Sequence, residues 1–197
     1  ISTREYPKQF APIFSGKSTL QLTLERSKLI SKFSPIIVVS KGYSSLVDKE
    51  CKKLNIKPIM IQEEIGKNTC PAILFAVLKA YEINNLSNVF IMPSDHLFDL
   101  DKSIKNFIKK SLKYSSKFNW VTYGVKPLYP SESFGYIETQ KIDEFTEVQN
   151  FIEKPNIKKA KEYMEKSNYF WNSGIFFGNS SKIIKSIEEN APDIFNA

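Results

Sequence analysis

Short apolar runs alternate with longer amphipathic segments over residues 35–125 of this chain. The apolar runs have the length of buried strands, and they are Ile36–Ser40, Ile59–Ile61, Val89–Met92 and Trp120–Val125. The segments between them space apolar residues three and four positions apart, as on one face of a helix. This alternation is typical of βαβ units, so the sequence predicts an α/β fold with a mostly parallel, mixed sheet flanked by helices.

Two of the predicted helices have clear starts. Ser18 precedes the apolar positions Leu20 and Leu24, which predicts a helix with a polar N-terminal cap. Thr69 is expected to cap a second helix that carries Pro71 near its first turn. The apolar face predicted for this second helix consists of Ile73, Leu74, Val77, Leu78 and Tyr81.

The pattern changes after residue 125. Phe134–Glu138 and Val148–Glu153 are short strand-like runs separated by polar residues, which predicts an antiparallel hairpin excursion near 134–153. A helix, a strand and a last helix are predicted over Ile157–Lys166, Trp171–Gly178 and Lys182–Glu189. We predict one domain over residues 1–197 and expect it to be incomplete at both termini, because the chain opens on Ile1 rather than methionine and Ala191–Ala197 stops without an obvious end.

Asp95 is the first candidate for chemistry. Pro93 ends the apolar run before it, so Asp95 and His96, the chain's only histidine, follow the carboxyl end of a strand. Ligands of open α/β sheets bind in the crevice outside those ends. A carboxylate in this place is often only a helix cap or a surface residue, so Asp95 needs support from other positions.

Polar groups in other loops at predicted strand ends give that support. Gly66 allows close backbone approach, and Asn68 and Thr69 stand at a helix N-terminus, where anions bind. Other loops supply an acceptor and a cation in Glu153 and Lys154, and a donor and acceptor in Asn172 beside Trp171 and Gly174. Each loop taken separately reads as a turn or a cap, but together they favour a binding site.

Ala11–Ser18 fits a loose phosphate-loop pattern, with Ala11 in place of the first glycine. A true phosphate loop follows a strand and needs flexible glycines, so that its backbone N–H groups wrap the phosphate. No strand-like run precedes this segment, Pro12 removes a donor, and Gly16 is its one glycine. We therefore interpret it as a surface turn that enters a helix.

Composition narrows the class of ligand. The net charge is +7, but lysines spread along the chain supply nearly all of it, which argues against nucleic-acid binding and suits anionic small molecules. Cys51 and Cys70 have no second pair, so neither zinc nor a disulfide framework is indicated and buried thiols are expected. No apolar run approaches the roughly 20 residues of a membrane span and no signal peptide opens the chain, so we expect a cytoplasmic protein.

Six motifs occur together in one order and spacing. They are Tyr6–Phe10 (YPKQF), Gly66–Ala72 (GKNTCPA), Met92–His96 (MPSDH), Phe134–Glu138 (FGYIE), Ile152–Pro155 (IEKP) and Phe170–Gly174 (FWNSG), and Leu22–Arg26 agrees with them. In this the chain resembles the mannose-1-phosphate guanylyltransferases, also called GDP-mannose pyrophosphorylases, of the sugar-nucleotide nucleotidyltransferase superfamily. The resemblance runs from Ser2 to Ala197.

The resemblance implies a Rossmann-like nucleotidyltransferase fold and a Mg²⁺-dependent reaction of GTP with mannose 1-phosphate to give GDP-mannose and pyrophosphate. It implies that Lys8 is the cation on the triphosphate and that Asp95 ligates the metal. It assigns Gly66, Asn68 and Thr69 to the nucleotide pocket. It assigns the sugar phosphate to Gly135, Glu153, Lys154 and Asn172. His96 is interpreted as structural.

Glu64, Lys67, Cys70 and Phe134 depart from the usual family residues. The family's first strand and glycine-rich loop are expected before Ile1, and its second metal carboxylate beyond Ala197. We therefore expect residues 1–197 alone to bind nucleotide poorly and to turn over little. A uridylyl- or thymidylyltransferase acting on another sugar 1-phosphate, and a non-catalytic regulatory relative, stay open as alternatives, as does assembly into a homo-oligomer.

Overall fold

The computed structural model describes residues 6–12, 14–66, 68–98 and 102–196, with the side chains of 102–104 left aside. The chain divides into two compact units, which are considered one at a time. The first unit takes in the chain up to Val121 and again from Phe177 onward, and the second unit is Thr122–Phe176.

The first unit combines a parallel strand pair with most of the helices. Its strands are β1 (Ile36–Ser40), β2 (Ile59–Glu63) and β3 (Asn88–Ile91). Its helices are α1 (Thr19–Ile30), α2 (Ser44–Lys53), α3 (Thr69–Ile83), α4 (Lys102–Ser115), α6 (Ser180–Asn190) and α7 (Pro192–Phe195). Strands β1 and β2 pair in parallel from Ile36 opposite Ile59 to Ser40 opposite Glu63, as the βαβ pattern predicted.

Helix α1 begins where the sequence placed it. The Ser18 hydroxyl accepts a hydrogen bond from the Gln21 backbone N–H, and the Gln21 side chain accepts one from the Ser18 N–H, which forms a capping box. The helix buries Leu20 and Leu24 in a core cluster. The other buried members of this cluster are Phe10, Val47, Cys51 and Ile56.

Strands β1 and β3 are less buried than the sequence predicted. Every residue of β1 is partly exposed, and Val89, Phe90, Ile91 and Met92 are also only half-buried. In the described part of the chain, β1 pairs with β2 alone, and β3 pairs with one strand, Tyr169–Asn179. Each is therefore an edge strand within the described residues, and the expectation that these runs are buried strands was wrong.

Helix α3 differs from its prediction in three details. Asn68, not Thr69, is the N-cap residue, and its side chain makes no capping hydrogen bond. Leu78 and Tyr81, predicted on the buried face, are 40% and 41% exposed. Leu78 lies about 100° around the helix from the fully buried Val77, at the margin of the apolar stripe. Cys70, predicted buried, is only partly so.

The second unit is built mainly on antiparallel strands. It contains β5 (Tyr136–Thr139), β6 (Val148–Ile152), α5 (Ile157–Met164) and most of β4 (Val121–Val125) and β7 (Tyr169–Asn179). Strand β5 pairs antiparallel with both β6 and β7, so that Tyr136 lies opposite Ile152 on one side and Trp171 on the other. This confirms the predicted hairpin excursion. The buried residues of this unit's core are Tyr136, Ala160, Tyr169 and Trp171.

These elements confirm an α/β fold with one parallel and one antiparallel strand set. The single-domain prediction stays a prediction. None of the helices in the described ranges combines the length and the apolar character that crossing a membrane would require.

Candidate functional site

The structure brings Lys8 and Asp95 together. Strand β3 ends at Ile91, and the chain turns through Pro93 to Asp95, whose Oδ2 lies 3.1 Å from Lys8 Nζ. Both side chains reach solvent, with 63% of Lys8 and 39% of Asp95 exposed. A cation and a carboxylate that the sequence placed far apart therefore form one accessible pair just past the end of a strand.

The position of Lys8 follows from its neighbours. Lys8–Phe10 is a single 3₁₀ turn, closed by hydrogen bonds from the Phe10 N–H to the Pro7 carbonyl and from the Ala11 N–H to the Lys8 carbonyl. Phe10 is 4% exposed and packs in the core cluster with Leu20 and Leu24 of α1. The buried aromatic ring anchors a turn that leaves the lysine in solvent.

His96 follows Asp95, and its imidazole lies near the Asp95 carboxylate. Its Nε2 lies 4.0 Å from Asp95 Oδ1. Burial lowers the pKa of His96 below its ordinary value of 6.5; Asp95 opposes this shift, while Arg26 and Lys8 add to it. The ring is therefore neutral at neutral pH.

The N-terminus of α3 holds the other predicted residues of the first unit. Asn68 and Thr69 are exposed, and Asn68 has φ 70° and ψ −170°, a conformation that residues other than glycine rarely adopt. A Cβ added at Gly66 would meet Ser40 Oγ at 3.7 Å, an ordinary contact. This loop therefore lies beside the carboxyl end of β1, and Lys67 within it falls outside the described residues.

The four predicted sugar-phosphate residues lie next to one another in the second unit. The Gly135 carbonyl accepts a hydrogen bond of 2.8 Å from the Asn172 N–H. A Cβ at Gly135 would approach Glu153 Oε2 and Phe151 Cζ to 3.1 Å each, so glycine keeps the Glu153 carboxylate close to the backbone. Lys154 Nζ lies 3.2 Å from Glu153 Oε1, and Lys154 has a left-handed φ of 42°.

Asn172 is oriented by a residue that the sequence did not single out. Its Oδ1 accepts hydrogen bonds from the Thr122 hydroxyl at 3.1 Å and from the Gly174 N–H at 3.3 Å. Since the carboxamide oxygen is occupied, what Asn172 can offer a ligand is its NH₂ group. Thr122 could not have been found from spacing, because it comes from β4 and meets Asn172 only through long-range strand pairing.

Trp171 lies beside this group in an aromatic cluster. Tyr129 and Phe134 each contact its ring edge-to-face, with centroids 4.9 Å away. The indole Nε1 is buried and makes no hydrogen bond in the structure. The cluster packs one side of the strand that presents Asn172.

The phosphate-loop-like segment is a turn, as interpreted. Phe14 and Lys17 exchange two backbone hydrogen bonds, so both of their N–H groups are occupied. Lys17 Nζ pairs with Glu25 Oε1 of α1 at 2.7 Å. The described part of the segment is therefore a closed turn in which two N–H groups are already occupied; Ile13 within it falls outside the described residues.

A family model described as nucleotidyl transferase matches residues 2–197. The chain therefore belongs to the nucleotidyl transferase family. This agrees with the α/β fold and with the polar groups at the strand ends.

Two individual relatives show which members of the family the chain is similar to. The chain is 33% identical over 203 residues to a mannose-1-phosphate guanylyltransferase of Escherichia coli, an alignment covering 98% of this chain and 44% of that protein. It is 30% identical over 198 residues to the xanthan biosynthesis protein XanB of Xanthomonas campestris, covering 100% and 42%. The chain thus spans less than half the length of these curated relatives.

A solved structure agrees over the whole chain. The crystal structure titled mannose-6-phosphate isomerase from Helicobacter pylori matches with a TM-score of 0.87 and 31% identity, covering 100% of this chain and 75% of that one. The resemblance predicted from the motifs is confirmed by these matches.

Proposed function

We propose that the protein to which these 197 residues belong carries out guanylyl transfer, in which GTP and mannose 1-phosphate give GDP-mannose and pyrophosphate. The observation that carries the proposal is the accessible Lys8–Asp95 pair at the end of β3. A cation beside a carboxylate provides one group for phosphate oxygens and one for a divalent metal. The similarity to mannose-1-phosphate guanylyltransferases supports the choice of substrates.

The reaction asks for alignment and charge neutralisation more than for covalent help. A phosphate oxygen of mannose 1-phosphate attacks the α-phosphorus of GTP, and the bond from that phosphorus to the bridging oxygen of the pyrophosphate breaks. Negative charge gathers on the leaving pyrophosphate. Lys8 is the residue we assign to those oxygens, because its ammonium is largely exposed and held by a buried anchor.

We infer that Mg²⁺ is the cofactor and that Asp95 holds it. Among the described residues, no cluster of three or more His, Cys, Asp or Glu side chains could hold a metal by itself. This suits Mg²⁺, which proteins often bind through one or two carboxylates together with substrate phosphates. The metal would neutralise phosphate charge when bound. Asp95 supplies an oxygen ligand already exposed to solvent.

The remaining predicted site residues are assigned to a substrate one unit at a time. In the first, the N-terminus of α3 with Gly66, Asn68 and Thr69 is assigned to the nucleotide, since exposed N–H groups and the helix dipole favour phosphate. In the second, Lys154 is assigned to the sugar's phosphate and Glu153 and Asn172 to its hydroxyls. Glu153 can only accept hydrogen bonds when ionised and Asn172 can donate, so the two suit hydroxyl groups of either polarity.

The experiment is pyrophosphate release by the protein as its gene encodes it. GTP, UTP, dTTP and ATP are each tested with mannose 1-phosphate and glucose 1-phosphate, with Mg²⁺ and with excess chelator. We expect release with GTP, mannose 1-phosphate and Mg²⁺ together. A preference for UTP or dTTP would indicate a uridylyl- or thymidylyltransferase instead. Tight binding of GTP without release would indicate a non-catalytic relative. A separate incubation with mannose 6-phosphate alone, followed by the formation of fructose 6-phosphate, tests the isomerase activity for which the Helicobacter pylori protein is named.

A further inference from the structure

Arg26 reaches from α1 to the loop that follows Asp95. Its side chain is buried, with 5% of the residue exposed. The guanidinium donates through Nη2 to the His96 carbonyl at 2.7 Å and through Nη1 to the Phe98 carbonyl at 2.8 Å. Its Cζ lies 4.1 Å from the centre of the Phe98 ring. One side chain therefore holds two backbone carbonyls and one ring of the same short loop.

The helix that carries Arg26 is well fixed. Its N-terminus has a capping box, and Leu20 and Leu24 pack in the core cluster. Arg26 Nη2 also donates to Thr23 Oγ1 at 2.6 Å, one turn earlier on the same helix, which orients the guanidinium. The loop it holds has no helix or strand from Met92 to Phe98, and Arg26 contacts two of its residues, His96 and Phe98.

The same helix also determines where Lys8 lies. Phe10, two residues after Lys8, packs in the core cluster with Leu20 and Leu24 of α1. Lys8 is thus connected to α1 by the packing of Phe10, and the Asp95 loop is connected to α1 by the hydrogen bonds of Arg26. Both members of the Lys8–Asp95 pair, which lie 3.1 Å apart, are therefore connected to the same helix.

We propose that Arg26 is a positioning residue that sets the loop bearing Asp95, and with it the Lys8–Asp95 geometry. Arginine is suited to this because its planar fork presents several donors in fixed directions, whereas lysine offers a single ammonium group. The effect on the loop is independent of the reaction. The effect on turnover rests on the proposed function.

Three variants test this. Arg26→Met removes both carbonyl contacts while keeping an apolar stem, and Arg26→Lys keeps the charge without the fork. The matched control is Lys28→Met, because Lys28 stands on the same helix and also donates to a backbone carbonyl, that of Leu54, away from the Asp95 loop. Amide hydrogen exchange is followed without ligands for peptides covering 94–98 and 19–30, and the Mg²⁺ dependence of pyrophosphate release is measured for each protein.

Arg26→Met is expected to raise exchange at 94–98 by roughly tenfold or more and to leave 19–30 unchanged. The Mg²⁺ concentration giving half the maximal rate should rise about tenfold while the KM for mannose 1-phosphate stays the same, since Asp95 is displaced and the sugar residues are not. Arg26→Lys should fall between Arg26→Met and wild type, and Lys28→Met should match wild type.

Unchanged exchange at 94–98 would overturn the proposal, and so would an equal rise at 19–30, which would show a general structural role. A local rise with an unaltered Mg²⁺ dependence would overturn the link to Asp95. If the wild-type protein releases no pyrophosphate from any substrate pair, the proposed function fails, whereas the exchange data still decide whether Arg26 positions the loop.

Discussion

Replacing Asp95 by asparagine separates catalysis from stability. Asparagine keeps the size of the side chain and an oxygen that can accept from Lys8, but it removes the negative charge. The Lys8–Asp95 pair is exposed on both sides, and exposed ion pairs typically contribute about 0–1 kcal/mol to folding. The free energy of unfolding of Asp95→Asn should therefore stay within about 1 kcal/mol of wild type.

The rate should respond far more strongly. Loss of a group that stabilises transition-state charge costs about 10²–10³-fold in kcat, and we expect Asp95→Asn to lose at least this much. Its Mg²⁺ requirement should also increase, because an amide oxygen is a weaker ligand than a carboxylate. The assay is steady-state pyrophosphate release at several Mg²⁺ concentrations, beside urea unfolding of the same preparations.

Asp143→Asn is the matched control. Asp143 is exposed and its Oδ2 lies 3.1 Å from Lys141 Nζ, the same distance as in the Lys8–Asp95 pair. The control should change neither rate nor stability appreciably. A rate for Asp95→Asn within threefold of wild type would refute the reasoning and move the metal ligand elsewhere. An equal loss in Asp143→Asn would show that charge alone was responsible.

Three further predictions concern residues other than Lys8 and Asp95. Gly178→Ala should destabilise the protein by at least about 2 kcal/mol in urea unfolding, because the new Cβ would lie 2.5 Å from the Asn119 carbonyl oxygen. Asn68→Gly should relieve an unfavourable φ and stabilise by about 1 kcal/mol, yet weaken GTP binding measured by calorimetry. Burial raises the pKa of Cys51 from 9.0 to about 11, so unfolding measured from pH 9 to 11 should become easier by about 2 kcal/mol relative to Cys51→Ala.

Each of these has its own check. Gly42→Ala is the control for Gly178→Ala, since nothing lies within 4 Å of its added Cβ, and equal stability of the two variants would contradict the clash. Asn68→Gly with unchanged GTP affinity would remove Asn68 from the nucleotide site. For Cys51 the sign follows from proton counting: between pH 9 and 11 the unfolded thiol has lost more of its proton than the folded thiol at every pH, so stability falls as pH rises. Parallel pH profiles of wild type and Cys51→Ala would contradict the shift.

The local elements could be predicted from the sequence because their signals are local. Ile36–Ser40 is a strand with the predicted bounds, and the hairpin of β5 and β6 forms where the pattern changed. The exposure of β1 and β3 could not be predicted, because it depends on which strand lies beside each of them. The conformation of Asn68 was also missed, since a positive φ at a residue other than glycine leaves little trace in the sequence.

The site was predicted in part, and mostly through its motifs. Residue spacing alone could not predict that Lys8 and Asp95 lie together. The six motifs, through the resemblance to the family, identified both as site residues. Arg26 lies in a segment that matched the family, yet its role became visible only in its contacts with His96 and Phe98. One signal was available in the sequence. Arg26 and Arg4 are the two arginines among 28 basic residues, and an arginine on an amphipathic helix suggests that the several fixed donors of a guanidinium are used there.

The most direct test of the account follows the phosphorus atoms of GTP. The protein is incubated with mannose 1-phosphate, Mg²⁺ and GTP labelled at either the α- or the γ-phosphate, and the products are separated. Attack at the α-phosphorus predicts that the α-label appears in GDP-mannose and the γ-label in pyrophosphate, in equal amounts and only when both substrates are present. A γ-label recovered as inorganic phosphate or on the sugar, with no α-labelled GDP-mannose, would contradict it.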